Sequence, residues 1–120
     1  MSGQIVVMVF EVVGSGICVS SDDGQKVHDQ IAAALREGKK IKVSFLNVES
    51  LTSAFLNAAI GQLYGEFSDE TIRESLSVSD MEQDDLALLK RVVETAKEYF
   101  SDPERFRKAR EEALEERDAD

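Results

Sequence analysis

Tryptophan is absent from this sequence, and proline, cysteine and histidine each occur once. A lone cysteine, Cys18, excludes an intramolecular disulfide, which suits a reducing compartment, and the chain is expected to be cytoplasmic. Flanked by Ile17 and Val19, Cys18 is expected to act as a small buried hydrophobe. The lone histidine, His28, has no second His or Cys at ligand spacing, so neither a metal nor a cofactor is expected. A solvent-facing or boundary position is expected for it. Long apolar runs are also lacking. The longest, residues 5–10, is far short of the ~20 residues a membrane-spanning helix needs. No basic stretch precedes it and no small-residue cleavage pattern follows, so neither a membrane span nor a secretory leader is expected. Positive charge is scarce: fourteen Lys and Arg stand against twenty-four Asp and Glu, a formal net charge of −10. No basic stripe is present, which argues against nucleic acid as a partner. Gly14-Ser15-Gly16 lacks the Lys-Ser/Thr of a phosphate-binding loop.

What is present is the composition of one soluble globular domain: 120 residues, 42% hydrophobic and 32% charged. Residues 5–13 read as a strand and Gly14-Ser15-Gly16 as the turn into a second strand, 17–20, a leading hairpin. Ser21-Asp22-Asp23-Gly24 is a capping cluster for a helix to about Glu37 that buries Val27, Ile31, Ala34 and Leu35 and stops at Gly38. Residues 40–45 alternate, with Ile41, Val43 and Phe45 on one face and Lys40, Lys42 and Ser44 on the other. Phe55, Leu56, Ala59, Ile60, Leu63 and Phe67 then form the apolar stripe of a second helix, broken near Gly65. Gly61, inside it, reads as a close-packing position. Ser68 caps a short helical turn, and residues 74–79 alternate as a fourth strand. Leu86, Leu89, Val93, Ala96 and Phe100 predict a long helix with one core face. Ser101-Asp102-Pro103 punctuates it, and residues 104–117 restart as a charged helix with only Phe106, Ala109, Ala113 and Leu114 to bury. The acid pairs Asp22-Asp23 and Asp84-Asp85 precede or open helices, where the dipole favours them, and read as first-turn acids rather than as acid–base or metal sites. The fold class is therefore α/β: a mixed sheet of about four strands with helices packed on it, plus a C-terminal helical extension.

The segment joining the third strand to the second helix holds the candidate site. Asn47, Glu49 and Ser50 lie in its polar turn, and Thr52 and Ser53 stand where the helix should begin. Ser53 is expected to be the N-cap, a role worth ~1 kcal/mol. Added phosphate at such a position would be tolerated by the fold while changing the surface a partner meets.

The strand, the turn, Thr52-Ser53-Ala54-Phe55-Leu56 and the small-residue helix after it resemble the STAS-like family (the DUF4325 group), relatives of the anti-sigma-factor antagonists. Residues 17–20 with 25–35, and residues 76–99 with Leu86-Ala87-Leu88-Leu89-Lys90-Arg91-Val92-Val93, fit the family's order, so the resemblance spans roughly residues 17–100. It implies a STAS-like domain over 1–100 and a charged tail over 101–120. It also implies a non-enzymatic signalling module of the partner-switching type. Its partner class would be a histidine-kinase-like ATPase that could also act as serine kinase. Aligned on Val48, the serine modified in the antagonists falls on Ala54, so Ser53 and Thr52 are the candidate phosphoacceptors. Asn47, Glu49, Ser50, Thr52, Ser53 and Leu56 are the candidate partner-binding residues. Three alternatives stay open: a small-ligand or nucleotide sensor, a constitutive adaptor, and a scaffold that dimerises through the C-terminal helix. No catalytic residues are expected, because one His and one Cys on adjoining elements do not make a convergent catalytic set.

Overall fold

Lys40 to Ser44 form the central strand of the sheet, as the alternation of Ile41 and Val43 with lysines predicts. The computed structural model describes residues 4–101. In chain order it has β1 (Gln4–Met8), α1 (Val9–Val13), β2 (Ile17–Cys18), α2 (Ser21–Arg36), β3 (Lys40–Ser44), β4 (Ser50–Leu51) and α3 (Ser53–Ala59). A 3₁₀ turn over Gly61–Gly65, α4 (Asp69–Ser75), β5 (Leu76–Ser79) and α5 (Gln83–Ser101) complete the described part. The charged tail expected over residues 104–117, with Asp102 and Pro103, lies outside the described residues.

The architecture is α/β, with the main sheet ordered β1-β3-β5 and a two-stranded annex, β2-β4, every pairing parallel. The register aligns Ile5, Ile41 and Leu76 in one row and Val7, Val43 and Val78 in another. Ile41 and Val43 are fully buried beneath Val27, Ile31, Phe55 and Leu56 from the helices, which share their core. Each such side chain contributes roughly 1.5–3 kcal/mol of burial. The row Val6, Lys42 and Ser77 faces the other way and is exposed, Val6 at 54%.

Several details differ from the sequence-based expectations. The apolar run 5–13 is not one strand: it changes to helix at Val9, which is wholly buried, and closes at Gly14 in the left-handed region (φ +84°). The continuous apolar stretch 5–10, across which the change occurs, carries no periodicity to tell strand from helix. The expected leading hairpin is consequently not formed, because β1 pairs with β3 and β2 with β4. The N-cap of α2 is Ser20, one residue before the expected cluster, its hydroxyl accepting from the Asp23 N–H at 3.1 Å. Asp22 and Asp23 occupy the first turn as expected, as Asp84 and Asp85 do in α5. Gly38 ends the α2 segment at φ +73°.

The second helix is shorter than its apolar stripe. α3 stops at Ala59 and the chain tightens to 3₁₀ from Gly61, where α5 packs close: an added Cβ would lie 3.7 Å from a Val92 methyl and 3.3 Å from the Asn57 amide oxygen. Ser68 caps α4 as expected. On α5 the core face is Leu89, Val92 and Ala96, whereas Leu86 is 44% exposed.

Candidate functional site

The turn after β3 is held on two sides. Asn47 has φ +67°, a left-handed conformation that Asn tolerates, and the Val48 N–H donates to the Phe45 carbonyl. Glu49 and Ser50 both donate their N–H to the Gly16 carbonyl, at 2.8 and 3.1 Å, and β4 continues alongside β2. Gly16 is required here: a Cβ would sit 2.6 Å from the Asn47 carbonyl oxygen. On the other side Ser44, expected on the outer face, is buried instead. Its hydroxyl donates to Asp80 Oδ2 at 2.7 Å and accepts the Leu46 N–H at 3.3 Å. Ser79 also donates to Asp80 Oδ2. These bonds, the Ser44 one above all, with Lys42 nearby, hold the Asp80 carboxyl below the usual carboxylate range.

Thr52, not Ser53, is the N-cap of α3. Its Oγ1 accepts from the Phe55 N–H at 3.2 Å and donates to the Val19 carbonyl at 2.8 Å, so one hydroxyl both caps the helix and ties it to the end of β2. A Ser and a Thr side by side offer the same capping chemistry, and only the position of β2 decides between them. Ser53 is the first helical residue; it is exposed, and its hydroxyl makes no hydrogen bond among the described residues. Asn47, Glu49 and Ser50 are exposed. Leu56 is fully buried in the core, so of the candidate partner-binding residues it is the one the fold removes from the surface.

Because the three strands of the main sheet are parallel, their carboxyl ends lie together, and a groove of about 490 Å³ opens there. Phe10 after β1 lines it, with Phe45 to Glu49 after β3, and Asp80, Glu82 and Asp85 after β5. Asn47 and Glu49 thus belong to the groove; Ser50, Thr52 and Ser53 do not line it. Phe10, Leu46, Ser44 and Asp80 had no distinguishing sequence signal, since only a parallel sheet brings them together. Among the described residues no group of His, Cys, Asp or Glu is arranged to hold a metal ion.

His28 is buried, contrary to expectation. Its Nε2 lies 2.7 Å from Glu66 Oε1, and its Nδ1 lies 3.0 Å from the Gln25 amide nitrogen and 3.1 Å from Asp29 Oδ1. Gln62 donates to Gln25, so this network joins α2 to the 3₁₀ turn and the loop after it. Cys18 is buried as expected, and burial, followed by the negative charge of Asp23, pushes its thiol up. With both imidazole nitrogens engaged and the thiol disfavoured as thiolate, the two are not set as a nucleophile and base.

No helix among the described residues is long and apolar enough to cross a membrane. No curated protein and no solved structure gives a significant match. The model of one family does match, over residues 23–86, from the first turn of α2 to the first turn of α5, and so covers the candidate loop, α3 and β5. That span exceeds half of the chain, and the chain belongs to the STAS-like domains of unknown function (DUF4325).

Proposed function

We propose that this chain is a non-enzymatic signalling module that binds a partner protein through the turn after β3 and the start of α3, with Ser53 as the phosphoacceptor that switches binding. The observation that carries the reading is the contrast between the two hydroxyls at the helix start. Thr52 is committed to two hydrogen bonds of the fold, whereas Ser53, adjacent to it, is exposed and its hydroxyl is in no hydrogen bond among the described residues. A phosphate on Thr52 would break the cap and the tie to Val19. On Ser53 it would add ~1.5–2 negative charges to the surface and leave both bonds in place. The partner class that fits is a histidine-kinase-like ATPase with serine kinase activity, acting in the cytoplasm. Asn47, Glu49 and Ser50 supply the exposed rim beside the switch residue.

The test is capture from host lysate with wild-type, Ser53→Ala and Ser53→Glu chains, followed by affinity measurement with the purified partner. The reading expects the wild type and Ser53→Ala to hold the partner and Ser53→Glu to lose it. Equal affinity of all three for that partner would make the chain a constitutive adaptor and remove Ser53 from its mechanism.

A small-ligand sensor is the second reading, and the groove at the strand ends favours it, since ligands of open α/β sheets bind beyond the carboxyl ends of the strands. Its carboxylates disfavour a nucleotide there, whose phosphates carry the same sign of charge.

A further inference from the structure

Resting on the protein-binding reading above, the proposal here concerns the chemistry of the partner. Four carboxylates border the groove: Glu49, Asp80, Glu82 and Asp85. Elsewhere on the described surface some acids have basic partners: Asp23 with Lys26, Glu66 with Arg36, Glu37 with Lys39, and Asp69 with Arg73 and Lys97. Asp22, Glu70, Glu74, Glu94 and Glu98 are in none of these pairs, but they line no groove with exposed apolar side chains at the strand ends. The groove carboxylates are in none of the ion pairs among the described residues. Asp80 accepts from the hydroxyls of Ser44 and Ser79, and Lys42 lies near it without forming an ion pair. Two apolar side chains stand among these acids: Leu46 is 49% exposed and Phe10 37% exposed. The carboxylates do not converge as a metal site does. They are spread around the exposed Phe10 and Leu46 side chains, an arrangement that complements an extended cationic chain better than a point charge.

We propose that the groove beyond β1, β3 and β5 takes a basic segment of the partner protein. An apolar side chain of that segment packs against Phe10 and Leu46, and its Lys or Arg side chains face Glu49, Glu82 and Asp85. The chain's net charge of −10 steers such a segment toward this surface, which makes association fall with rising salt.

The experiment titrates the isotopically labelled full chain with three synthetic peptides of equal length and reads amide shifts. One peptide places arginines around a central leucine, the second has glutamate for each arginine, and the third has serine for the leucine. The first is expected to shift resonances of residues 46–49 and 80–85, with the other two binding at least several-fold more weakly. The triple variant Glu49→Gln, Glu82→Gln, Asp85→Asn, all at the surface, should raise the Kd of the first peptide about tenfold, as three exposed charge pairs would. Unchanged affinity in that variant, shifts confined to other faces, or equal binding of the serine peptide would each overturn the proposal. So would magnesium ion alone reproducing the shifts. If the captured partner discriminates the Ser53 variants yet binds the triple variant at wild-type affinity, the binding-module reading stands and the basic segment fails. If the peptide results hold while the Ser53 variants behave alike, the groove stands and the switch fails.

Discussion

Where α2 meets α3, Gly24 allows so close an approach that an added Cβ would fall 2.5 Å from the Phe55 carbonyl oxygen and 2.8 Å from the Ala58 methyl. Around that seam His28, Gln25 and Gln62 are linked by hydrogen bonds, and no buried side-chain polar atom is unsatisfied among the described residues. At the carboxyl ends of β1, β3 and β5 the arrangement is the reverse: the carboxylates are in no ion pair among the described residues, and Phe10 and Leu46 stand exposed. The seam meets the demands of folding, in which buried polar groups must be paired and space filled. Those demands leave the groove unexplained. Substitutions should therefore separate the two regions, costing stability at one and binding at the other.

The largest effect is expected at the seam. Gly24→Ala sets a methyl group against backbone, which cannot swing aside as a side chain can, and should destabilise by about 1–3 kcal/mol. Denaturant unfolding would show this as a lower midpoint with an unchanged slope. Next comes the helix start, which lies between the two regions. Thr52→Val keeps the shape and loses the cap and the Val19 bond, and is expected to cost ~1 kcal/mol or somewhat more. Ser53→Ala, one residue on, should stay within about 0.5 kcal/mol of wild type. If the two substitutions cost the same, the assignment of Thr52 as cap is wrong.

At the rim of the groove the expected effect is on pH dependence. Asp80 is held below its unfolded value, so its contribution to stability is full above the ordinary carboxylate range and is lost as the pH falls through the folded value. Asp80→Asn should therefore lower stability near neutrality, where the carboxylate's contribution is full, and converge with the wild type at low pH, which flattens the acid limb of a stability–pH curve. The smallest stability effect belongs to the groove itself. Glu82→Gln and Asp85→Asn are expected within about 0.5 kcal/mol of wild type, because neither carboxylate is in an ion pair among the described residues. A substantial loss at either would return the groove to the structural part of the molecule.

Local periodicity and local capping were legible in the sequence. Ile41 and Val43 announced the central strand, Ser68 the start of α4, Gly38 the end of α2, and the spacing of Val27, Ile31, Ala34 and Leu35 the buried face of that helix. What depended on which strand lies beside which was not legible. Residues 5–10 are apolar without a break and Glu11 alone interrupts the run to 13, so no periodicity in it marks the change to helix at Val9. Ser44 carries a polar side chain on an alternating strand and reads as outward-facing until Asp80, thirty-six positions later, is brought to it. His28 is buried because Glu66 reaches it from a different element. The turn and the start of α3 were legible because hydroxyls before an apolar helix stripe are a local pattern. The groove beside them was missed because its walls come from three separate strands. Leu56 is different: it lies four residues past the cap, on the apolar stripe already legible in the sequence, and its burial there removes it from the partner-binding surface.

The central claim is that the turn after β3 and the start of α3 are where a partner binds. Amide hydrogen exchange on the full chain, alone and saturated with the captured partner, tests it most directly. The account predicts new protection over residues 46–53, extending to 80–85, with the exposed sheet face around Lys42 and the outer surface of α4 unchanged. Protection confined to that sheet face or to α4, with residues 46–53 exchanging as in the free chain, would contradict it.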